Sequence, residues 1–600
     1  MRARNTKFTI LTREEVIAQG IQIRKREVEV PQKNGDIYVY ERECYYDSRV
    51  RYERSLGQKL IGKKIQGNDE INNTRPKRKN GALQKETANQ RVKRIESSES
   101  DDISAVKLHV GMIDILDHLA KESGIDKDIE DSTDIPTALK ILSIARFMVA
   151  DDSPSLAKIE EFQYTHLLPY EDGINKDVYH RLFDEIGDDE ELKQGFFLRR
   201  VAREKDKTVY IAYDSTTEST DSKWLKSARY GMNKADDGRK TLKYALMYSM
   251  NSSMPICYYT QQGNIPDVMT VKRLEEQVAA LGINDFVIVA DNGYCSDPNI
   301  DYALLHGHDI LTRIETNVSW VNDLLMENYS KLTSTASALA PDRSMHGISI
   351  PFERNAKIIQ DGNNELCGTF KCFLLLYSSE ELKSEENIAL DKKLHIMKQE
   401  IENGKKVSTY CRSDRQMINS CLKIHDEKKS ITVTFRQRGI NNYRKEHGIF
   451  ALFSSRESDP EKGLALYRKR GEIESAFRVH KEDLKGNMPD CSLDTVFEGK
   501  TFVQFVSLIL QEALITRVNE MKRTLGLPNG DDEHDLKTIL DAEKKLKAWL
   551  EDRSIKRILN WFDTNDRIIV SNKMKIKRWN SEVIARDKLF LQKLGIEIKN

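Results

Sequence analysis

The 600-residue chain has no Cys-x-x-Cys pair. Its eight cysteines, Cys44, Cys257, Cys295, Cys367, Cys372, Cys411, Cys421 and Cys491, are scattered, which argues against a zinc ribbon and leaves no disulfide framework to read. A reducing cytoplasm is the natural compartment for such a chain. An excess of charge of one sign is also missing, because 95 Lys and Arg residues balance 95 Asp and Glu residues. Any affinity for a polyanion must therefore come from local patches. Long apolar runs are lacking too. The segment MRARNTKFTILTREEVIAQG contains no continuous apolar core of signal-peptide type, and the most apolar run, Phe502 to Ile515, is broken by Gln504, Gln511 and Glu512. Neither a leader nor a membrane span is expected. What remains is 39% hydrophobic and 32% charged residues in a chain too long for one core, hence about three to five domains.

Local composition divides the chain. Residues 1–65 read as a small β-containing segment, with Ile37 to Tyr40 and the Arg51-Tyr52 stretch bounded by Asn34-Gly35 and Gly57. There Tyr38, Tyr40, Tyr45, Tyr46 and Tyr52 alternate with Arg42, Arg49, Arg51 and Arg54, a mixture suited to phosphates and stacked bases. Residues 66–102 hold almost no large apolar side chains and read as a disordered, charged linker. Residues 103–205 turn helical, with Leu108, Met112, Ile115, Leu116 and Leu119 on one face. A DNA-binding role for that domain is suggested by its position in the chain.

Residues 206–315 have α/β character. The run Val209 to Asp214 is apolar and ends in an acid, and Tyr244 to Met250 with Ile256 to Thr260 read as a hairpin. A helix is expected over Asp267 to Leu281, then a buried strand, Asp285 to Asp291, again ending in an acid. A helix over Pro298 to Leu305 and a strand over Asp309 to Ile314 complete the segment. Residues 316–447 fit this layout poorly and read as an insertion, with strands at Phe370 to Tyr377 and Ser430 to Arg436 and a charged helix at Glu380 to Glu402. The core resumes over 448–525, and 526–600 reads as a helical tail with a basic stretch from Lys573 to Trp579.

The chemistry lies in two strand-end acids and one helix. If the strands ending in Asp214 and Asp291 are neighbours, their carboxylates converge at the edge where open α/β sheets gather their sites; taken singly, each acid is equally a turn former or a helix cap. In Tyr467 to Lys481, the side chains of Tyr467, Arg470, Glu474 and Lys481 are offset by three, seven and fourteen residues. At about 100° per helical residue they fall within an arc of roughly 60°, whereas Glu472 points about 140° from Tyr467. Asp214, Asp291 and Glu474 together suit two magnesium ions, with manganese as a substitute, for in-line displacement at phosphorus. Arg470 and Lys481 suit DNA phosphates, and Tyr467 suits a phosphate, a neighbouring side chain or simple packing.

These residues resemble the Tyr-x2-Arg-x3-Glu-x6-Lys signature of bacterial insertion-sequence transposases of the DDE type, matched by Tyr467, Arg470, Glu474 and Lys481 at every spacing. The contexts Tyr213-Asp-Ser-Thr-Thr217 and Ala290-Asp-Asn-Gly-Tyr294 are similar to the family's first and second acids. The resemblance spans roughly Thr208 to Gln511. It implies a ribonuclease-H-like catalytic core interrupted by a β-rich insertion. Asp214, Asp291 and Glu474 are then catalytic metal ligands, and Tyr467, Arg470 and Lys481 contact DNA. It further implies a homodimer that pairs two transposon ends, frees 3′ hydroxyls and joins them to target DNA, with a hairpin route for the second strand. Trp320, within the insertion, would stack on an extruded base or pack in a core. The alternatives are a ribonuclease-H-like nuclease that cuts without joining, and an inactive transposase-derived DNA-binding regulator.

Overall fold

The computed structural model divides into two compact units, Met1–Glu86 and Thr87–Asn600. It describes residues 13–31, 37–48, 52–64, 86–97, 103–152, 155–204, 208–231, 237–265, 280–283, 285–294, 296–339, 344–360, 364–427, 430–486, 489, 491–527, 533–572 and 575–597. In the first unit, helix Arg13–Ala18 precedes an antiparallel sheet of β1 (Ile23–Pro31), β2 (Ile37–Asp47) and β3 (Tyr52–Lys64), in that order. The tyrosine–arginine mixture is split between the inside and outside of this sheet. Tyr45 is buried, and Arg54 pairs with Asp47 at 3.2 Å inside the unit, while Tyr46 is exposed.

The second unit begins with a correction. Helix Ala88–Glu96 lies in the stretch expected to be a disordered linker. Its first turn is closed by a capping box in which Gln90 N donates to Thr87 Oγ1 and Thr87 N donates to Gln90 Oε1, both at 3.2 Å. The helix buries Ala88 and Ile95 with Val106 and Leu108 of β4 (Ser104–His109). Apolar residues sparse in number but correctly spaced suffice once a partner surface exists. Residues 66–85 and 98–102 of the expected linker lie outside the described residues.

A mixed sheet follows. Its strands are β5 (Val209–Thr220), β6 (Lys240–Ser249), β7 (Met254–Gln262), β8 (Phe286–Ala290), β9 (Asp309–Ile314), β10 (Met345–Gln360) and β11 (Asn364–Ser379). The hairpin of β12 (Leu422–Glu427) and β13 (Ser430–Phe435) forms its own small sheet, and β14 (Ile449–Ser454) returns to the large one. The strand order is β10-β11-β14-β9-β8-β5-β6-β7, with β5, β8 and β9 parallel and the remaining pairs antiparallel. Every residue of β8 is buried, as a strand covered on both faces requires. The helix expected over Asp267 to Leu281 falls almost wholly on residues 266–279, outside the described residues.

The insertion is not a uniformly β-rich domain. Its long hairpin, β10 with β11, extends the central sheet because β11 pairs with β14. The rest is mainly helical, with helices Glu380–Glu402, Arg412–Cys421 and Gln437–Glu446 around a separate core that includes Leu390, Leu394, Met397, Ile418 and Val433.

The C-terminal segment also departs from the helical expectation. After helices Glu533–Glu551 and Ile555–Phe562 come β15 (Asp566–Asn572) and β16 (Lys575–Asn580), and β15 pairs with β4. The basic stretch therefore lies on a hairpin, with residues 573–574 outside the described ones. Helix Asp494–Thr524 is long and apolar enough to cross a membrane, yet 83% of its apolar window is buried within the protein. It is the axis on which helices Ile135–Ala150 and Lys176–Asp188 pack.

This central helix carries a buried acid. Glu512 is 2% exposed and accepts from Tyr248 Oη at 3.2 Å, while its Oε1 has no hydrogen-bond partner among the described residues. Burial, reinforced by the charge of Glu472, pushes its pKa up to about 8. The unfolded carboxyl titrates near its ordinary 4.5, so between these values the folded state keeps a proton that the unfolded state has released. Stability is full below the lower value and falls by about 1.4 kcal/mol per pH unit as pH rises towards the higher one. Glu512→Gln is expected to stabilise the protein at pH 8 by on the order of 2–4 kcal/mol, with much less gain at pH 5. Denaturant titrations at the two pH values check this, and equal gains at both would show that the carboxylate is charged throughout.

Candidate active site

Asp214 and Asp291 are brought side by side by the parallel pairing of β5 and β8, which ends at Tyr213 opposite Ala290. Asp291 follows the last residue of β8, as expected. Asp214, however, does not end its strand: β5 continues through Ser215 to Thr220, paired with β6 as far as Thr220 opposite Lys240. The Ser-Thr-rich continuation is buried, so its hydroxyls are carried inside by a partner strand, beyond the Asp214 at which the strand was expected to end.

Each aspartate is held by a phenol. Asp214 Oδ1 accepts from Tyr294 Oη at 2.8 Å and from Ser215 N at 2.7 Å. Asp291 Oδ1 accepts from Asn292 N at 2.8 Å and from Tyr467 Oη at 3.1 Å. Burial, and next the Asp291 charge, push the Tyr467 pKa up to about 12, so Tyr467 remains a proton donor to Asp291 at neutral pH. The phenol expected at a DNA phosphate is thus engaged with the second acid.

The expected single helix is a segmented path. Helix Pro460–Lys469 is followed at Arg470 by a local tightening, with Ile473 N donating to Arg470 O at 3.0 Å, then by helix Gly471–Arg478 and a π-helical turn, Val479–Asp483. Tyr467, Arg470 and Glu474 keep their common side. The wider π turn shifts the phase before Lys481, which is half-buried and does not line the cavity described next.

A cavity of about 430 Å³ is lined by all three carboxylates, Asp214, Asp291 and Glu474, together with Arg470, Tyr294 and Phe477. Glu474 is 59% exposed, and its Oε1 accepts from Arg470 Nη2 at 3.2 Å. The Arg470 guanidinium also sits 5.3 Å above the Tyr467 ring, and its Nε has no hydrogen-bond partner among the described residues. Glu472 is off the cavity, with Oε2 buried and unpartnered among the described residues. Among the described residues the cavity wall offers oxygen donors and no thiol or imidazole, a set that fits a hard cation. Among the described residues no three His, Cys, Asp or Glu side chains are gathered closely enough to hold one ion. The acids share a cavity without forming a closed shell. Trp320 packs on Phe352 at 5.0 Å and belongs to the sheet's packing.

Residues 205–492 match the family described as the transposase DDE domain. No curated protein matches the chain. The matched span runs from just before β5 to just beyond the π turn and supports a DDE transposase family. The matched span contains a further residue, absent from the expected site residues although it stands within the Asp291-Asn-Gly-Tyr294 motif. Tyr294 is buried, and besides holding Asp214 its hydroxyl oxygen accepts from Ser215 N at 2.8 Å. A tyrosine three residues after a strand-end acid was the available signal. If Asp214 holds a cation, Tyr294→Phe is expected to lower activity by about 10–100-fold, the usual cost of removing a group that holds a metal ligand. Cleavage assays across a metal titration check this, and parental kinetics would show that Tyr294 only packs.

Proposed function

We propose that the chain is a metal-dependent DNA transposase with a ribonuclease-H-like core, cutting at transposon ends and transferring the freed strands to target DNA. The observation that carries this reading is the shared cavity: acids from β5, from the end of β8 and from helix Gly471–Arg478 line one wall within the span that matches the transposase DDE domain. Asp214, Asp291 and Glu474 would hold magnesium. When bound, magnesium polarises phosphoryl oxygens and lowers the pKa of water for attack at phosphorus.

The protein groups prepare that site. Tyr294 and the Ser215 amide fix Asp214, while Tyr467 and the Asn292 amide fix Asp291. Arg470 offsets the charge of Glu474, and as a lining residue of the cavity its guanidinium would meet a DNA phosphate there. Glu474 meets Arg470 through Oε1, and its second carboxylate oxygen would hold the cation. Lys481, off the cavity, would contact DNA away from the acids, and a homodimer on paired DNA ends would be the working assembly.

The experiment is cleavage and joining of DNA taken from the two ends of the segment that carries the gene, with and without magnesium or manganese. Metal-dependent nicking followed by joined products is expected, and Asp214→Asn should abolish both. Nicking without joined products would reduce the reading to a nuclease, and the absence of both would overturn it.

A further inference from the structure

The strand bearing Asp214 and the helical path bearing Glu474 are tied together a second time, outside the cavity. Glu218 lies four residues beyond Asp214 on β5 and therefore on the same face of the strand. His480 lies six residues beyond Glu474, within the π turn. His480 Nε2 and Glu218 Oε1 are 2.8 Å apart, with side-chain exposures of 0% and 2%. The imidazole stacks on Tyr244 at 4.3 Å, with 2° between the planes. Tyr244 is the β6 partner of Thr216, midway between Asp214 and Glu218. On its other side the ring is capped by Gly486, where a Cβ would lie 2.2 Å from Nε2, and Gly486 N donates to His480 O at 2.9 Å.

Packing alone does not account for this pair. His480 continues the buried stripe of Ile473, Ala476 and Phe477, where an apolar side chain would fill the space without desolvating a carboxylate. Removing Glu218 from water is unfavourable unless its partner is well placed. What a hydrogen bond adds over apolar contact is a fixed length and direction. A π turn, rare in helices and recurrent at functional sites, supplies the local geometry.

We propose that the Glu218–His480 pair is a positioning strut that sets how far Glu474 stands from Asp214, and thereby the affinity of the three acids for a divalent cation. The inference rests on the metal-dependent reading given above. Its direct test is Mn2+ binding to the full-length protein without DNA, followed by electron paramagnetic resonance, alongside thermal melting. Glu218→Asp keeps the charge and the pairing chemistry but shortens the strut by one methylene. It is expected to weaken Mn2+ binding about three- to tenfold with a melting temperature close to the parent's. The double variant Glu218→Leu/His480→Phe replaces both partners by apolar groups, which avoids stranding a buried charge, and is expected to weaken binding about tenfold. In cleavage assays the half-saturating Mn2+ concentration should rise for both variants, while the rate at saturation falls less than about threefold. Parental Mn2+ affinity in whichever of these variants folds overturns the strut. Asp214→Asn is the reference: if it too leaves Mn2+ binding unchanged, the metal-site reading fails instead.

Discussion

Glu474→Gln is expected to lower DNA cleavage by at least about three orders of magnitude, equivalent to roughly 4 kcal/mol of transition-state stabilisation, with little change in folding. Glu474 is 59% exposed and bonds to Arg470, so a glutamine of the same shape leaves no buried group stranded. The loss would be confined to the acid at the cavity. Glu472→Gln is the matched comparison on the same helix. Glu472 does not line the cavity, its Oε2 is buried without a hydrogen-bond partner among the described residues, and its charge helps to raise the Glu512 pKa. Its neutralisation is expected to leave cleavage within about threefold of the parent and to stabilise the fold modestly. Single-turnover cleavage on pre-nicked and intact DNA, with a thermal melt for each variant, checks both. Similar losses in the two variants would remove the distinction that the cavity draws between them.

That distinction was legible in the sequence because helical spacing puts Tyr467, Arg470 and Glu474 on one side and Glu472 on another, and a local tightening at Arg470 does not undo it. The strand Phe286–Ala290 was equally legible, since an unbroken apolar run ending in an acid has few other readings. Other features depend on partners distant in the chain. Nothing local extends the strand past Asp214; the run from Ser215 to Thr220 joins it because β6 pairs with it, and Pro489 O accepts from Thr220 Oγ1 at 3.1 Å. Glu218 and His480 are 262 residues apart, and nothing local to either marks it as half of a pair. The strand pairing of β15 with β4 joins the tail to the start of the second unit, so a segment with helical composition on both sides becomes part of a sheet. Local periodicity reports the element. The choice of partner, and with it the length of β5 and the phase of the π turn, is made by tertiary packing.

A single added methyl group at Gly499 is expected to destabilise the second unit by about 3 kcal/mol or more, beyond most overpacking substitutions. Gly499 lies in helix Asp494–Thr524, and a Cβ there would sit 1.9 Å from the carbonyl oxygen of Phe183 and 2.7 Å from its carbonyl carbon. One turn away the contact is reciprocated, because a Cβ at Gly187 would lie 1.9 Å from the carbonyl oxygen of Thr495. Both obstructions are backbone atoms of helices, which cannot rotate aside as a side chain can, so the helices must separate. The same helix serves the site at a distance. Asp494 accepts from Lys226 N and Ser227 N at 3.1 Å, and Gln504 Nε2 donates to Leu484 O, just beyond the π turn, at 2.9 Å. Gly499→Ala should therefore lower the melting temperature and also weaken Mn2+ binding in the fraction that remains folded. Gly471→Ala is the contrasting case: among the described residues no atom beyond its chain neighbours and its own helix backbone lies within 4 Å of the added Cβ, and alanine in a helix is favoured over glycine by up to about 1 kcal/mol. Denaturant titration of the two variants measures the difference, and equal stabilities would mean that the helix pair tolerates wider spacing than its backbone contacts imply.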